Sequence, residues 1–380
     1  MSYKVSNVRM LATAISATLL VCLSISPAQA ARYTITDLGT LGGDFSEAYA
    51  VNNLGQVVGR ARTDDGVNHA FLYTNGVMTD LGTMGGNVSH AYGINDAGQV
   101  VGWSMTETSQ EGHAFLYRNG QMTDLGTLGG AYSAASDINE SGQVVGGAWN
   151  DYNWVHAFQY QDGAMHDLGA LGGKKGTFSG AHAVNNLGQI VGSSSTSTGD
   201  THAFIYEGNA MSILGGQSNT FSTAYDINDS GQIVGVANIG NDWNWHHAFL
   251  YSEGVMNDMG STAYPWSRAY GINNAGQVVG YFSSGKSRAF LYSDGELHDL
   301  NSLVDPTSGW TLFEARDIND NGQIVGWGWT LEGETRGFLL TPVPEPQTYA
   351  LMLAGLGLVG FAARRRHGFT QSHAIEANAA

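Results

Sequence analysis

The residues best suited to hold a ligand are aromatic side chains in two segments that share a pattern. Each segment mixes aromatic residues with Asn and Asp ahead of a His-Ala-Phe triplet: Trp149, Tyr152 and Trp154 in one, and Trp243, Trp245 and His246 in the other. Exposed rings can stack on sugar rings while neighbouring amides and carboxylates bond the hydroxyls. The pattern therefore favours a saccharide-binding surface. The alternative is that these rings pack between structural units.

Histidine recurs at one place in the sequence pattern, which raises the question of a metal site. The triplet begins with His five times and with Arg twice, at His69, His113, His156, His202, His247, Arg288 and Arg336. Arginine donates hydrogen bonds but does not normally ligate metals, so the shared property is donation at a strand edge. We therefore expect neither a metal nor a cofactor.

No catalytic motif stands out in the chain. It has no nucleophile elbow and no phosphate-binding glycine loop, and Cys22 is its single cysteine. Carboxylates from distant segments could still converge to cleave glycosidic bonds. The sequence favours a non-catalytic protein and leaves a polysaccharide-degrading enzyme as an alternative.

A motif of the form Ile-Asn-x-x-Gly-Gln-Val-Val-Gly recurs seven times through the body of the chain. Its glutamine stands at Gln56, Gln99, Gln143, Gln189, Gln232, Gln277 and Gln323, which defines units of about 45 residues. Short apolar runs bounded by Asn, Asp and Gly are typical of strands joined by tight turns. Each unit is therefore predicted to be a four-stranded antiparallel meander.

Seven such units predict an all-β fold, a seven-bladed β-propeller over residues 31–341. The body opens with a lone last strand at 35–39 and closes with only three strands at 313–340. Pairing between these two ends would complete the last blade and close the ring without exposed edges. A β-solenoid is the alternative. Packing roles are expected for the tryptophans directly after a Gly-Gln-Val/Ile-Val-Gly strand: Trp103, Trp327 and Trp329.

These motifs, with the recurring Asp-Leu-Gly-x-Leu-Gly-Gly, resemble the HAF-repeat family of bacterial extracellular proteins. The resemblance covers residues 35–340. That family has no established activity, so it implies an extracellular repeat protein without naming a substrate.

Residues 1–30 have the three parts of a secretory signal peptide. Lys4 and Arg9 precede an apolar stretch, and Ala28-Gln29-Ala30 supplies a small-x-small cleavage site. A lipoprotein signal that acylates Cys22 is the alternative. We expect the mature protein to begin after Ala30 and to contain no cysteine.

The C-terminal segment 342–366 combines a short Pro-Glu-Pro motif, an apolar stretch and a basic cluster. Its residues are Pro344, Glu345 and Pro346, a predicted hydrophobic transmembrane helix at 349–363, and Arg364, Arg365 and Arg366. The segment resembles the PEP-CTERM sorting signal, which implies a temporary inner-membrane anchor recognised by an exosortase, a transpeptidase-like membrane enzyme. Fifteen helical residues reach about 22 Å, short of the ~30 Å hydrocarbon core. An ordinary C-terminal anchor is the alternative.

The basic cluster and the overall charge bear on location and partners. Arginines at the end of the apolar stretch predict that residues 367–380 form a short cytoplasmic tail, with the repeat body outside the inner membrane. The formal net charge of −17 disfavours nucleic acid as a partner. We expect an exported protein of the periplasm, cell surface or biofilm matrix that binds extracellular polysaccharide. A purely structural envelope component is the alternative.

Overall fold

Seven antiparallel sheets of four strands each are arranged in a ring in the computed structural model. The structure describes residues 32–108, 110–173, 176–215, 221–238, 246–260, 265–283 and 285–344. The signal peptide, the apolar stretch 349–363 and the tail 367–380 lie outside these residues. Among the described residues, none forms a helix long and apolar enough to cross a membrane.

Each blade is a meander in which consecutive strands are neighbours. The strands of blades 1 to 3 are β2 (Gly42–Val51), β3 (Val57–Thr63), β4 (Asn68–Thr74), β5 (Val77–Asp80); β6 (Gly85–Ile94), β7 (Val100–Thr106), β8 (His113–Arg118), β9 (Gln121–Asp124); β10 (Gly129–Ile138), β11 (Val144–Asn150), β12 (Val155–Gln161), β13 (Ala164–Asp167). Those of blades 4 and 5 are β14 (Ser179–Val184), β15 (Ile190–Ser195), β16 (Thr201–Glu207), β17 (Ala210–Ile213); β18 (Ser222–Ile227), β19 (Ile233–Ala237), β20 (His247–Ser252), β21 (Val255–Asp258).

Blade 6 contains β22 (Trp266–Ile272), β23 (Val278–Ser283), β24 (Ser287–Ser293) and β25 (Glu296–Asp299). Two single-turn 3-10 helices, Leu300–Ser302 and Pro306–Ser308, connect it to blade 7. Blade 7 contains β26 (Thr311–Ile318), β27 (Ile324–Trp329), β28 (Thr335–Pro342) and, from the start of the body, β1 (Tyr33–Asp37).

The two ends of the body meet in the last blade. Strand β1 pairs antiparallel with β28, from Tyr33 opposite Pro342 to Asp37 opposite Phe338. Blade 7 is also bonded to blade 1, because Asp317 Oδ2 accepts the N–H of Val51 at 2.8 Å. The predicted propeller and its closure by the N-terminal strand are therefore confirmed, and the solenoid alternative is wrong.

The hydrophobic core lies between neighbouring blades. One cluster, for example, joins Val58 and Ala70 of blade 1 to Ala91, Val100 and Phe115 of blade 2. The phenylalanine of each His-Ala-Phe triplet or its variant is wholly buried: Phe71, Phe115, Phe158, Phe204, Phe249, Phe290 and Phe338. Burying one such side chain stabilises the fold by roughly 1.5–3 kcal/mol, so the repeat of this residue supplies each blade with the same apolar contact.

The glycine that ends Gln-Val-Val-Gly is required because the first strand approaches it closely. A Cβ on Gly59 would lie 2.0 Å from the carbonyl oxygen of Glu47, and one on Gly146 would lie 2.0 Å from that of Ala134. No side chain fits at that distance, which explains why the motif ends in glycine.

The Ile-Asn turns tie the blades into a closed ring of hydrogen bonds. In each turn the Asn Oδ1 accepts backbone N–H groups of its own turn, as Asn52 does from Leu54 and Gln56. Its Nδ2 donates to the carbonyl of the equivalent Asn in the next blade at 2.8–3.1 Å, through Asn52, Asn95, Asn139, Asn185, Asn228, Asn273, Asn319 and back to Asn52. The repeated Asn thus fixes both the turn and the position of the neighbouring blade.

Since successive strands run in opposite directions, the two ends of the ring differ. The turn face carries the Ile-Asn turns and the outer hairpins such as 75–76. The loop face carries the loops between second and third strands, such as 64–67, and the connections between blades, such as 81–84. Strand β28 ends at the turn face, where the N–H of Val343 donates to the carbonyl of Arg32 at 2.8 Å. The described chain therefore enters and leaves the propeller at the turn face.

Candidate ligand-binding face

The aromatic residues singled out in the sequence that the structure describes lie on the loop face. Trp149 is the penultimate residue of β11, Tyr152 and Trp154 occupy the following loop, and His246 precedes β20. Trp243 and Trp245 lie outside the described residues. The described members of the predicted aromatic surface, in blades 3 and 5, therefore lie on the same face of the ring.

A short turn presents Tyr152 and Trp154 to solvent. Asn150 Oδ1 accepts the N–H groups of both residues, at 3.0 and 3.2 Å, and the N–H of Asn150 donates to the carbonyl of Trp154 at 3.0 Å. Asn153 closes the turn with a φ of 59°, a conformation that Asn tolerates better than most residues. Tyr152 is 57% exposed and Trp154 is 44% exposed. Their backbone is thus fixed by hydrogen bonds while their rings remain accessible.

Trp149 has a different environment from the other two. Its ring lies 5.8 Å from that of Tyr132, and the backbone of Gly130 packs directly against its Cβ. It is half-buried. For this residue the packing interpretation fits the contacts.

A cleft of about 590 Å³ opens beside the Tyr152 loop, between blades 3 and 4. It is lined by Asn150, Asp151 and Tyr152 of the loop and by Leu171 and Thr177 of the connection that leads into blade 4. On its floor, His156 Nδ1 donates to Asp167 at 2.9 Å. The cleft combines an aromatic ring with carboxylate, amide and imidazole groups, a mixture of apolar surface and a few polar groups that is common in ligand sites.

The His156–Asp167 pair is polarised by its own hydrogen bonds. The bond to Asp167 raises the pKa of His156 above its usual value, against the opposing effect of burial. Burial raises the pKa of Asp167, but hydrogen bonds from His156 and from the N–H of Gly169 outweigh it and leave the pKa below its usual value. Asp167 therefore stays ionised and holds the imidazole ring in place.

The same pair recurs around the ring and explains the repeated His and Asp. His69–Asp80, His113–Asp124 and His247–Asp258 make it at 2.8–3.0 Å, and Arg288 replaces His opposite Asp299. The aspartate also accepts the N–H of the glycine two residues on, at 2.7 Å in each of the His-containing pairs. Donation to the aspartate of the neighbouring strand is thus shared by these five positions, whereas His202 Nδ1 has no hydrogen-bond partner within the described part of the chain and Arg336 donates to Glu334 and to the carbonyl of Asp44. Among the described residues no group of three His, Cys, Asp or Glu side chains could hold a metal ion.

Exposed aromatic rings that the sequence did not single out as ligand residues also lie on the loop face. Phe178 is 40% exposed, Trp266 45% and Trp329 50%. Trp329 makes an edge contact with Phe313 at 4.8 Å, so it packs as expected on one side, but half of its surface is free. His246 lies 5.2 Å from both Phe221 and Trp266 and is part of the same surface.

Below this face, the central channel is lined by a belt of rings from consecutive blades. Tyr49 contacts Tyr92 at 5.5 Å, Tyr225 contacts Tyr270 at 5.2 Å, and the Arg316 guanidinium lies 4.5 Å from the Tyr270 ring. Burial raises the pKa of Tyr92 and of Tyr270 to about 12, so both phenols stay neutral. The sequence did not reveal this belt because its members lie in separate units that meet only when the ring closes.

Three aspartates border the channel nearer the turn face. Asp137, Asp226 and Asp317 each accept the backbone N–H of the following residue and one from the next blade, at 2.7–2.9 Å. Burial raises the pKa of all three, that of Asp317 to about 6. The carboxylates close gaps in the backbone hydrogen bonding between blades, and a cavity of about 170 Å³ lies beside them.

Two family models match parts of the chain. The PEP-CTERM protein-sorting motif matches residues 342–366, and Protein of unknown function (DUF3466) matches residues 210–336, from the last strand of blade 4 into blade 7. The predicted sorting motif is therefore confirmed, and it marks an exported protein that an exosortase sorts. The resemblance of the body to HAF-repeat proteins rests on its motifs alone.

No curated protein matches the chain at a significant level. Among solved structures it is similar to the β-propeller domain of the Trilobed protease from Pyrococcus furiosus, with a TM-score of 0.54 and 11% identity over 78% of this chain and 93% of that one. It is also similar to a puromycin-hydrolyzing peptidase of Mycobacterium tuberculosis, with a TM-score of 0.47 and 13% identity over 81% of this chain and 54% of that one. TolB from Acinetobacter baumannii has a TM-score of 0.43 and 12% identity over 90% and 71%.

At its identity the likeness to the Pyrococcus furiosus domain shows the fold alone, and the chain spans only about half the length of the peptidase. The chain is thus a seven-bladed β-propeller that contains a DUF3466 match and has a PEP-CTERM sorting motif at residues 342–366.

Proposed function

We propose that this exported protein is a non-catalytic binding module for extracellular polysaccharide, at the cell surface or in the biofilm matrix. The observation that carries the proposal is the unequal distribution of exposed apolar side chains. On the loop face they include five aromatic residues, Tyr152, Trp154, Phe178, Trp266 and Trp329. On the turn face the exposed large apolar side chains of the described residues are aliphatic, namely Leu54, Val77, Leu187, Val255 and Val343.

Aromatic rings at a surface lose little conformational entropy when they bind, and their flat faces suit the apolar side of a sugar ring. The cleft beside Tyr152 adds the polar part of such a site. Asp151, Asn150 and the His156–Asp167 pair offer acceptors and donors for hydroxyl groups. A polymer that crosses the face could contact several rings at once, so weak individual contacts would add up.

The position of the chain ends agrees with this use of the loop face. Val343 and Pro344 lead into the sorting motif from the turn face. Anchoring through the C-terminal segment would leave the opposite, aromatic face directed away from the attachment point. The acidic charge of the chain makes neutral polymers better partners than anionic ones.

The test compares paired variants on the two faces. Tyr152→Ala with Trp154→Ala removes two exposed rings, and Leu54→Ala with Leu187→Ala removes two apolar side chains of the turn face that are even more exposed. Binding of the purified exported protein to polysaccharides from the producing strain should weaken at least about 10-fold in the first variant, equivalent to about 1.4 kcal/mol, and less than about 2-fold in the second. Equal effects in both, or no binding by the unaltered protein, would end the proposal.

The same incubation distinguishes binding from degradation. The carboxylates Glu47 and Glu314 face the channel, but each is paired with an arginine, Arg60 at 2.8 Å and Arg316 at 2.6 Å. Each carboxylate is thus engaged in an ion pair within the fold, which favours a structural role. New reducing ends in the incubated polymer would favour the enzyme alternative, and we expect none.

A further inference from the structure

The cleft beside Tyr152 has a structural counterpart between blades 1 and 2. That second cleft has a volume of about 520 Å³. Seven of its nine lining residues precede a lining residue of the blade-3 cleft by the same number of positions in the sequence, as Leu41 precedes Leu128 and Gly86 precedes Gly173. The two clefts are therefore copies of one pocket in two repeat units.

The polar floor is the same in both clefts. His69 bonds Asp80 at 2.8 Å in the blade-1 cleft, as His156 bonds Asp167 at 2.9 Å in the blade-3 cleft. An acidic residue stands at the same place on the rim, Asp64 in one and Asp151 in the other. The hydrogen-bonding groups offered to a ligand are thus closely matched.

The loops above the two clefts also share one backbone conformation. The N–H of Thr63 donates to the carbonyl of Val67 at 2.9 Å, as that of Asn150 does to Trp154 at 3.0 Å. The closing residue is left-handed in both, with a φ of 80° at Gly66 and 59° at Asn153. A side chain grafted from one loop to the other would therefore start from an equivalent position.

The conspicuous difference is the residue next to the left-handed position. It is Tyr152 above the blade-3 cleft and Asp65, an exposed carboxylate, above the blade-1 cleft. Asp65 replaces a flat apolar ring by a second negative charge beside Asp64. A sugar that enters the blade-1 cleft would find the same floor but no surface to stack on.

We propose that Tyr152 decides which of these two equivalent clefts binds sugar, so that the blade-3 cleft is a saccharide subsite and the blade-1 cleft is its silent copy. The ligand class is a neutral hexose unit, because Asp151 and Asp167, which line the cleft, would repel a carboxylate or sulfate. The inference rests on the proposed function, since it assigns that function to one subsite.

The experiment is a calorimetric titration of the exported protein with neutral hexasaccharides, cellohexaose and maltohexaose, and with hexagalacturonate as the charged counterpart. The unaltered protein should bind one neutral hexasaccharide per chain and bind the uronate at least about 10-fold more weakly. Tyr152→Ala should lower the affinity about 10-fold, whereas Tyr152→Phe, which keeps the ring, should change it less than about 3-fold.

The graft Asp65→Tyr should raise the stoichiometry from one to two hexasaccharides per chain. Asp65→Ala removes the carboxylate without adding a ring, and Leu54→Tyr adds a ring on the turn face; both should stay at one. A thermal melt within a few degrees of the unaltered protein establishes that each variant is folded.

A folded Asp65→Tyr that still binds one hexasaccharide, or a Tyr152→Ala with unchanged affinity, would overturn the inference. If the protein binds its own polysaccharide through other aromatic residues of the loop face, the inference fails and the proposed function stands. If it binds neither these hexasaccharides nor any polysaccharide of the strain, both fail.

Discussion

Removing the side chain of Asn319 tests whether the ring is closed in solution. Its Nδ2 donates to the carbonyl of Asn52 across the closure at 2.8 Å and to Gln323 Oε1 at 2.8 Å. Its Oδ1 accepts the N–H groups of Asn321 and Gln323 at 3.1 and 2.9 Å. Asn319→Ala removes these four hydrogen bonds at a buried position.

The expected loss can be worked out from those bonds. A typical hydrogen bond contributes about 1 kcal/mol net, and the partners left unsatisfied in the interior add to the cost. We expect Asn319→Ala to lower the free energy of unfolding by about 3–5 kcal/mol. In an open spiral the bond to Asn52 would not exist, and the loss would be smaller by roughly 1–3 kcal/mol.

Asn185→Ala is the matched control, since Asn185 makes the same four bonds in the middle of the ring, with Asn228 as the partner in the next blade. Urea unfolding followed by tryptophan fluorescence gives both free energies. The two losses should agree within about 0.5 kcal/mol. A loss for Asn319→Ala that is at least 1 kcal/mol smaller would refute the closed ring.

Three other predictions concern the interior and the blade-3 cleft. Because burial raises the pKa of Asp317 in the folded state from its ordinary value of 3.8 to about 6, the folded state binds the proton of this carboxyl more tightly than the unfolded state does. The free energy of unfolding should therefore fall by up to about 3 kcal/mol as pH rises from about 4 to 6. Asp317→Asn should reduce this pH dependence in urea unfolding experiments, and an unchanged pH dependence would show that Asp317 is not its source. Gly146→Ala should prevent stable folding, because the added Cβ would lie 2.0 Å from the carbonyl oxygen of Ala134. Gly147→Ala is the control, since there the nearest atom is 3.1 Å from the added Cβ. Equal midpoints in the thermal melts of these two variants would contradict the close approach at Gly146. Asp167→Asn should bring the pKa of His156 back toward 6.5. The bond to Asp167 stabilises the unaltered protein below pH 6.5, and this stabilisation is lost as pH rises through the raised pKa of His156; the variant should lack it. An NMR titration of the His156 ring with the same midpoint in both proteins would show that Asp167 is not the cause of the raised pKa.

Most of the architecture could be predicted from the sequence because the motif repeats. Seven copies of one turn fix the number of blades, and the lone strand that contains Asp37 before the first unit predicts closure against β28. The His–Asp pairs also had a signal, since the His of the triplet and the Asp of Asp-Leu-Gly keep a constant spacing in blades 1, 2, 3, 5 and, with Arg288, blade 6. The constant spacing does not by itself show that the two residues of each pair form a hydrogen bond across neighbouring strands.

The candidate binding face was predicted only in part. Tyr152 and Trp154 interrupt the repeat and were found for that reason, but Phe178 and Trp266 stand at strand starts where a packing residue looks the same in the sequence. Their exposure depends on the position of neighbouring blades at the loop face. The channel belt is harder still, because Tyr49 and Arg316 are nearly the whole body apart in sequence and meet at 5.9 Å only in the closed ring.

Hydrogen exchange of the exported protein with and without saturating polysaccharide shows which face of the propeller binds, because it reports on both faces in one experiment. We expect slower exchange in peptides that contain the loop-face segments 150–156 and 329–334, and unchanged exchange in the turn-face segments 52–56 and 185–189. Protection confined to the turn face, or spread equally over both faces, would contradict binding at the loop face.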